Sequence, residues 1–182
     1  GIAKALKNTE KLVIISFDAH LDLRNEYLGL KTSHTTFMRR INEKIRPQKI
    51  IEVGTRAVCQ EEIEYAEKTG INYITSLEIR REGLEKTKEK LERLLEGVEN
   101  IYLSIDLDVL DPAYAPAVQN PEPEGIDPYT LHELIAEICK KSIIAFDLVE
   151  VTPNYDEGIT AIQAAKTIFE TICQIERNRK TC

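Results

Sequence analysis

Three stretches of the chain end an apolar run in acidic residues. The first reads Phe17-Asp18-Ala19-His20-Leu21-Asp22. The second reads Ser104-Ile105-Asp106-Leu107-Asp108-Val109-Leu110-Asp111-Pro112, and the third Phe146-Asp147-Leu148-Val149-Glu150-Val151-Thr152-Pro153. In extended backbone, side chains two apart share a face, so Asp18, His20 and Asp22 are expected to point one way, and so are Asp106 and Asp108. Four carboxylates in one crevice cannot all stay ionised without counter-charge. Two divalent cations would balance them. A donor set rich in oxygen, poor in nitrogen and free of sulfur suits Mn²⁺ or Mg²⁺ better than a structural Zn²⁺. Two such ions about 3.5–4 Å apart make a nucleophile from water at neutral pH and steady the charge that develops during attack. A single aspartate here would read as a strand-end cap or surface charge. The patterns DxHxD and DxDxxD together in one short chain point to a metal centre.

Something must bring these segments together. Apolar runs at Leu12–Phe17, Lys49–Val53, Asn72–Thr75, Ile101–Leu107 and Ile143–Val151 are rich in Ile and Val without strict alternation, as in strands covered on both faces. Helical patterns lie between them, at His34–Lys44, Gln60–Thr69, Leu84–Val98, Tyr129–Cys139 and Ile159–Glu176, and residues 1–8 read as the end of a helix. Leu84, Leu91, Leu94, Leu95 and Val98 form one apolar stripe, and Ile162, Ala165, Ile168/Phe169, Ile172 and Ile175 mark a long packing helix. Asp127 is placed to cap the Tyr129–Cys139 helix, with Pro128 at its first position. The alternation predicts an α/β fold of three α/β/α layers around a mostly parallel sheet, as a single domain over residues 1–182. Ligands of such sheets gather beyond the carboxyl ends of the strands, where the acidic clusters fall. Residues 111–128 hold five of the seven prolines and form a stiff loop, expected either as a functional wall or as a surface excursion.

Composition narrows the guests. The 182 residues carry 24 basic and 31 acidic side chains, a formal net charge of −7. An acidic chain without a basic cluster is a poor partner for nucleic acid or anionic membrane, and a small cation is the more natural ligand. The four cysteines, Cys59, Cys139, Cys173 and Cys182, form no CxxC pair and suit a reducing, cytoplasmic setting as small hydrophobes, with Cys182 a terminal thiol.

The stretches DAHLD, SIDLDVLDP with the following NPEPEG, and DLVEVTP resemble the ureohydrolase family of arginases, agmatinases and formimidoylglutamases, in the family's order and over essentially the whole chain. The best match is to agmatinases of archaeal or bacterial type. The resemblance implies an arginase-like fold and two Mn²⁺ ions. Asp18 and Asp106 would bridge both ions, His20 and Asp108 would bind one, and Asp22 the other while hydrogen-bonding the attacking oxygen. Glu150 matches the glutamate that receives the guanidinium, and His34 in Ser33-His34-Thr35-Thr36 matches the histidine that passes a proton to the leaving amine. His132 is expected to be a surface residue without a role. Trimers or hexamers are implied by resemblance.

The family's upstream metal histidine, in a GGDH- or GGEH-type motif, has no counterpart here, and residues 1–6 resemble the helix after it. The chain is therefore expected to begin just past that ligand, leaving one metal site incomplete and activity low. The implied reaction is cleavage of a guanidinium C–N bond, with agmatine giving urea and putrescine. No match to the arginase SGNxHG-like stretch is found, which places arginine behind agmatine; guanidinobutyrate and formimidoylglutamate stay open. A truncated inactive subunit is a second reading. A haloacid-dehalogenase-like phosphohydrolase with Asp106 as acceptor is an outsider, since it leaves DAHLD unexplained.

Overall fold

In a computed structural model, residues 2–6 and 11–179 are described. Five strands, β1 (Leu12–Phe17), β2 (Lys49–Thr55), β3 (Asn72–Thr75), β4 (Asn100–Asp106) and β5 (Ile143–Val149), pair in the order β3-β2-β1-β4-β5, and every pairing is parallel. Alternate side chains of β1 go to opposite faces. Val13, Ile15 and Phe17 enter one apolar cluster with residues of helices α4 (Ser76–Glu82), α5 (Leu84–Leu94), α6 (Pro128–Ile138) and α7 (Ile159–Arg179). Leu12 and Ile14 enter a second with Ala3 of α1 (Ile2–Ala5), Met38 of α2 (Phe37–Lys44) and Ala66 of α3 (Gln60–Thr69). Three layers follow directly from this two-sided burial.

The chain runs outward from β1 to β3, then returns to the other side of β1 for β4 and β5. Crossovers on opposite faces keep each connection in the usual right-handed sense. The direction reverses between β1 and β4, and the first two acidic segments leave the sheet there.

Several elements differ from the sequence expectation. Helix α5 stops at Leu94, because residues 95–99 turn into β4, although Leu95 and Val98 still reach the core. Helix α4, capped by Thr75, was not predicted; it is only seven residues long, and periodicity over two turns is weak. His34–Thr36 forms a tight 3-10 turn ahead of α2. Strand β5 ends at Val149, short of the predicted Val151. The helix expected over residues 1–8 is present as Ile2–Ala5, and residues 7 and 8 lie outside the described residues. Asp127 does cap α6, its Oδ1 accepting from Thr130 N at 2.9 Å.

Helix α7 packs differently from its predicted stripe, of which Ile175 alone among the isoleucines meets the core. Ile162 is 72% and Phe169 61% exposed, whereas Thr160, Ala164, Thr167 and Thr171 face inward. Thr167 and Thr171 donate to the carbonyls of Gln163 and Thr167 four residues back, so small hydroxyl side chains are satisfied within the helix and let it approach α6 closely. His132 is correspondingly not a free surface residue: its Nε2 lies 3.1 Å from Thr167 Oγ1, joining α6 to α7. Among the cysteines, Cys139 is buried as expected, Cys59 is half-buried and Cys173 is exposed, all as free thiols; Cys182 lies outside the described residues. No helix among the described residues is long and apolar enough to cross a membrane.

The proline-rich stretch is a wall, not an excursion. Ala115, Ala117, Val118 and Ile126 are buried, and Ile126 bridges in parallel to Leu110. Gly125 makes this return possible, because a Cβ there would meet Asp111 N at 2.3 Å and the Leu110 carbonyl carbon at 2.6 Å. Backbone atoms cannot swing aside. Replacing Gly125 with Ala is expected to lower the unfolding free energy by about 1–3 kcal/mol, read from urea denaturation; an unchanged midpoint would contradict the close approach.

Candidate metal centre

Asp18 follows β1 directly, and its N–H donates to Val53 O at 3.0 Å, carrying the β1–β2 alignment one residue further. The segment then leaves the sheet. Asp18 Oδ1 accepts from His20 N at 2.6 Å, and Asp108 Oδ1 accepts from Ala19 N at 3.0 Å, so the β4 cluster holds the β1 cluster by its backbone. Asp106 is the last residue of β4, and Leu107–Val109 is a 3-10 turn in which Asp106 Oδ1 caps Asp108 N at 2.9 Å. Strand alternation therefore does not orient these side chains as expected. Capping turns at the strand ends do, and in both clusters a carboxylate bonds the N–H two residues on.

The result is a tight cluster. His20 Nδ1 lies 3.1 Å from Asp108 Oδ2 and 3.3 Å from Asp18 Oδ1. One ligand atom from each of Asp18, His20 and Asp108 falls within 4.8 Å of the others. Asp22 and Asp106 stand outside this trio but line the same cavity of about 210 Å³, together with Arg24, Tyr27, His34, Thr35, Asn120, Glu122 and Glu150. All seven residues singled out from the sequence thus meet in one place, with Asp18 just behind the wall formed by the others. The His34 ring packs edge-on against Tyr27, 5.4 Å between centroids. Asp22 and Glu150 both hold left-handed backbone, at φ of 52° and 64°. For a residue other than glycine this costs about 1–3 kcal/mol, a strain typical of functional sites.

Electrostatics show an acidic centre short of positive charge. Burial raises Asp18 to about 6, against the hydrogen bond from His20. Burial and the Asp18 charge raise Asp22 to about 9. Asp106 is pushed well above the usual carboxylate range by burial and by Asp18 and Asp108. Burial opposes the charge on His20, yet the bonds to Asp108 and Asp18 prevail and carry it to about 10. For Asp108, burial is outweighed by the same histidine, and its acidity increases. Burial and mutual repulsion thus hold protons on Asp18, Asp22 and Asp106, while His20 keeps its own through Asp108 and Asp18. The donors, carboxylate oxygens and one imidazole nitrogen with no thiolate, fit a divalent ion of the manganese or magnesium kind, which would take the protons' place.

Sequence reading missed the layer beneath. Glu52, in the middle of β2, is 1% exposed, and its Oε1 has no hydrogen-bond partner. Burial, then the charges of Asp18, Asp22 and Glu62, push its carboxyl well above the usual range. Its strand neighbour Ser16 also has an unpaired hydroxyl, while Ser104, next in register, bonds Asp147 at 2.8 Å. Glu62 holds the segment after Asp22, accepting from Leu23 N and Cys59 N at 3.1 and 3.0 Å. A lone Glu between Ile51 and Val53 was the available signal for Glu52.

A model of the arginase family matches residues 1–173. The chain belongs to the arginase family. An uncharacterised 32.2 kDa protein of Methanothermus fervidus is 39% identical over 97% of this chain and 60% of its own length. An agmatinase of Halalkalibacterium halodurans is 38% identical over 88% of this chain and 54% of its own. The crystal structure of agmatine ureohydrolase of Thermoplasma volcanium superposes with a TM-score of 0.87 at 34% identity, covering 98% of this chain and 59% of that one. Arginase-family relatives also include arginase 1 of Oryza sativa, 33% identical over 90% of this chain and 48% of its own, and formimidoylglutamase of Bacillus subtilis, 30% identical with a TM-score of 0.80 over 90% and 53%. The chain spans between 48% and 60% of the length of these relatives. Membership, with Asp18 and Asp106 at one site, removes the ground for the dehalogenase-like reading.

A stability profile tests the electrostatics. Unfolded, Asp18 and Asp22 release their protons near pH 4; folded, they hold them to about pH 6 and about pH 9. His20, raised to about 10 when folded, adds stability below about pH 6.5 that is lost as the pH climbs through its folded value. Between about pH 5 and about pH 9, above the range where Asp108 titrates, this cluster binds more protons when folded, so stability falls as pH rises. In chelator, the melting temperature is expected to drop steadily from about pH 5 to about pH 9, with Mn²⁺ restoring it most at the alkaline end. A melting temperature that rises with pH in chelator would contradict the assignment.

Proposed function

We propose that this protein is a divalent-metal hydrolase that cleaves the C–N bond of a guanidino group, with agmatine, giving urea and putrescine, as the preferred substrate. The observation that carries this is the convergence of Asp18, His20 and Asp108 at the reversal between β1 and β4, on a cavity also lined by Glu150 and His34. Asp18, His20, Asp22, Asp106 and Asp108 are the residues that would hold two Mn²⁺ ions. When bound, the metal pair supplies a water of lowered pKa and stabilises negative charge as it develops.

The chain's own residues do the rest. Glu150, held by its strained backbone, presents a carboxylate to the planar guanidinium, a paired, charge-assisted contact that orients the carbon for attack. Asp22 accepts a hydrogen bond from the attacking oxygen. A ring nitrogen of His34, fixed by the Tyr27 contact, passes a proton to the departing amine nitrogen, so that the amine leaves uncharged by the break and protonates on release. The cavity bears five carboxylates against one arginine, which favours a cationic substrate. At about 210 Å³ it suits a small linear molecule better than a drug-sized ligand, whose pockets run about 300–1,000 Å³.

The test is release of urea from agmatine, arginine and guanidinobutyrate, and of formamide from formimidoylglutamate, with Mn²⁺ present. Agmatine is expected to turn over fastest; faster arginine turnover would overturn the preference, and no C–N cleavage of any member would overturn the reaction. Asp106→Asn is expected to lose bound metal together with turnover. Glu150→Gln is expected to keep its metal and raise KM.

A further inference from the structure

One guanidinium ties the cavity wall together. Arg56, just past β2, directs Nη2 to the carbonyls of Asp108 at 2.7 Å, Glu122 at 2.8 Å and Leu110 at 3.2 Å. Its Nη1 donates to Val109 O at 3.1 Å and Gly54 O at 3.2 Å, and its Nε to Pro123 O at 3.0 Å and Glu122 O at 3.2 Å. Every one of these bonds goes to main chain. Three segments remote in sequence meet on it: the end of β2, the turn after β4 that carries Asp108, and the proline-rich wall.

The wall residue it grips has a side chain of consequence. Glu122 Oε1 lies 3.9 Å from His20 Nε2, on the side of the ring opposite the nitrogen that faces Asp18 and Asp108. A histidine that binds metal through one nitrogen generally gives the proton of the other to a carboxylate, carbonyl or water, and that partner sets ring orientation and tautomer. With a metal on Nδ1, Nε2 would carry the ring's proton, and Glu122, at 3.9 Å, is the carboxylate stationed on that side.

We propose that Arg56 is a positioning residue: by gathering the carbonyls of residues 54, 108–110, 122 and 123 around one plane it stations Glu122 behind His20 and so presents Nδ1 to the metal. This rests on the metal centre assigned under the proposed function. Five N–H donors fixed in a fork suit such a ring of carbonyls, and a lysine ammonium with three donors at one point cannot reach them all.

The experiment compares R56K, R56M, E122Q and the R56M/E122Q double variant with the wild-type chain. It measures Mn²⁺ affinity by titration with the metal alone, amide hydrogen exchange over residues 111–127, and urea release. Both Arg56 variants are expected to exchange faster over 111–127 and to bind Mn²⁺ about 10–100-fold more weakly. E122Q leaves the main-chain clamp in place, so it should keep the protected loop yet lose about 10-fold in affinity. The double variant should bind no more weakly than R56M, because the arginine acts through the glutamate. Wild-type affinity in E122Q, or wild-type protection of the loop in R56M, overturns the proposal. So does an R56M protein that melts earlier but binds Mn²⁺ as tightly as wild type, the signature of a merely structural arginine. A wild-type chain that shows this pattern of Mn²⁺ binding but releases no urea contradicts the proposed reaction and leaves the clamp standing. One that takes up no Mn²⁺ overturns both.

Discussion

Mutual repulsion among carboxylates is the constraint on which the rest depends. Left to solvent, Asp18, Asp106 and Asp108 would separate; instead all three are buried where β1 and β4 part company. Backbone N–H groups hold them there. His20, Ala19 and Asp108 itself each donate to one of these carboxylates, so the cluster is built by its own turns. Such a centre stores electrostatic tension that protons, or divalent ions in their place, would relieve. The sheet has to be parallel and doubly covered for this to work, because only then do the strand ends open onto a shared crevice while the strands stay dry.

Around that centre the fold spends stability on placement. Asp22 and Glu150 sit in left-handed backbone, and Glu52 lies unpaired in the core beneath them. The compensations are local and polar: Glu62 secures the segment after Asp22, Gly125 lets the wall fold back on Asp111, and Arg56 gathers carbonyls of three segments. The wall thus gains its stiffness from proline and its address from one arginine.

Much of this was legible in the residues. Ile- and Val-rich runs located all five strands, and the carboxylates ending three of them located the site, because strand ends and acidic clusters are both local signals. What was not legible depended on partners distant in sequence. The stripe Ile162–Ile175 reads as a packing face by periodicity, yet α7 turns threonines inward because their hydroxyls find carbonyls four residues back and their small size fits against α6. His132 looks idle until Thr167 is brought to it. Arg56 carries no motif that announces six carbonyls. The turns that aim Asp106 and Asp108 take the place of the strand alternation expected from spacing.

Anomalous diffraction from a crystal soaked in Mn²⁺ reports whether these strand ends enclose a divalent ion. A manganese peak is expected on carboxylate oxygens of Asp18 and Asp108 and on Nδ1 of His20. No peak between β1 and β4, or aspartates turned away from one another towards solvent, would contradict it.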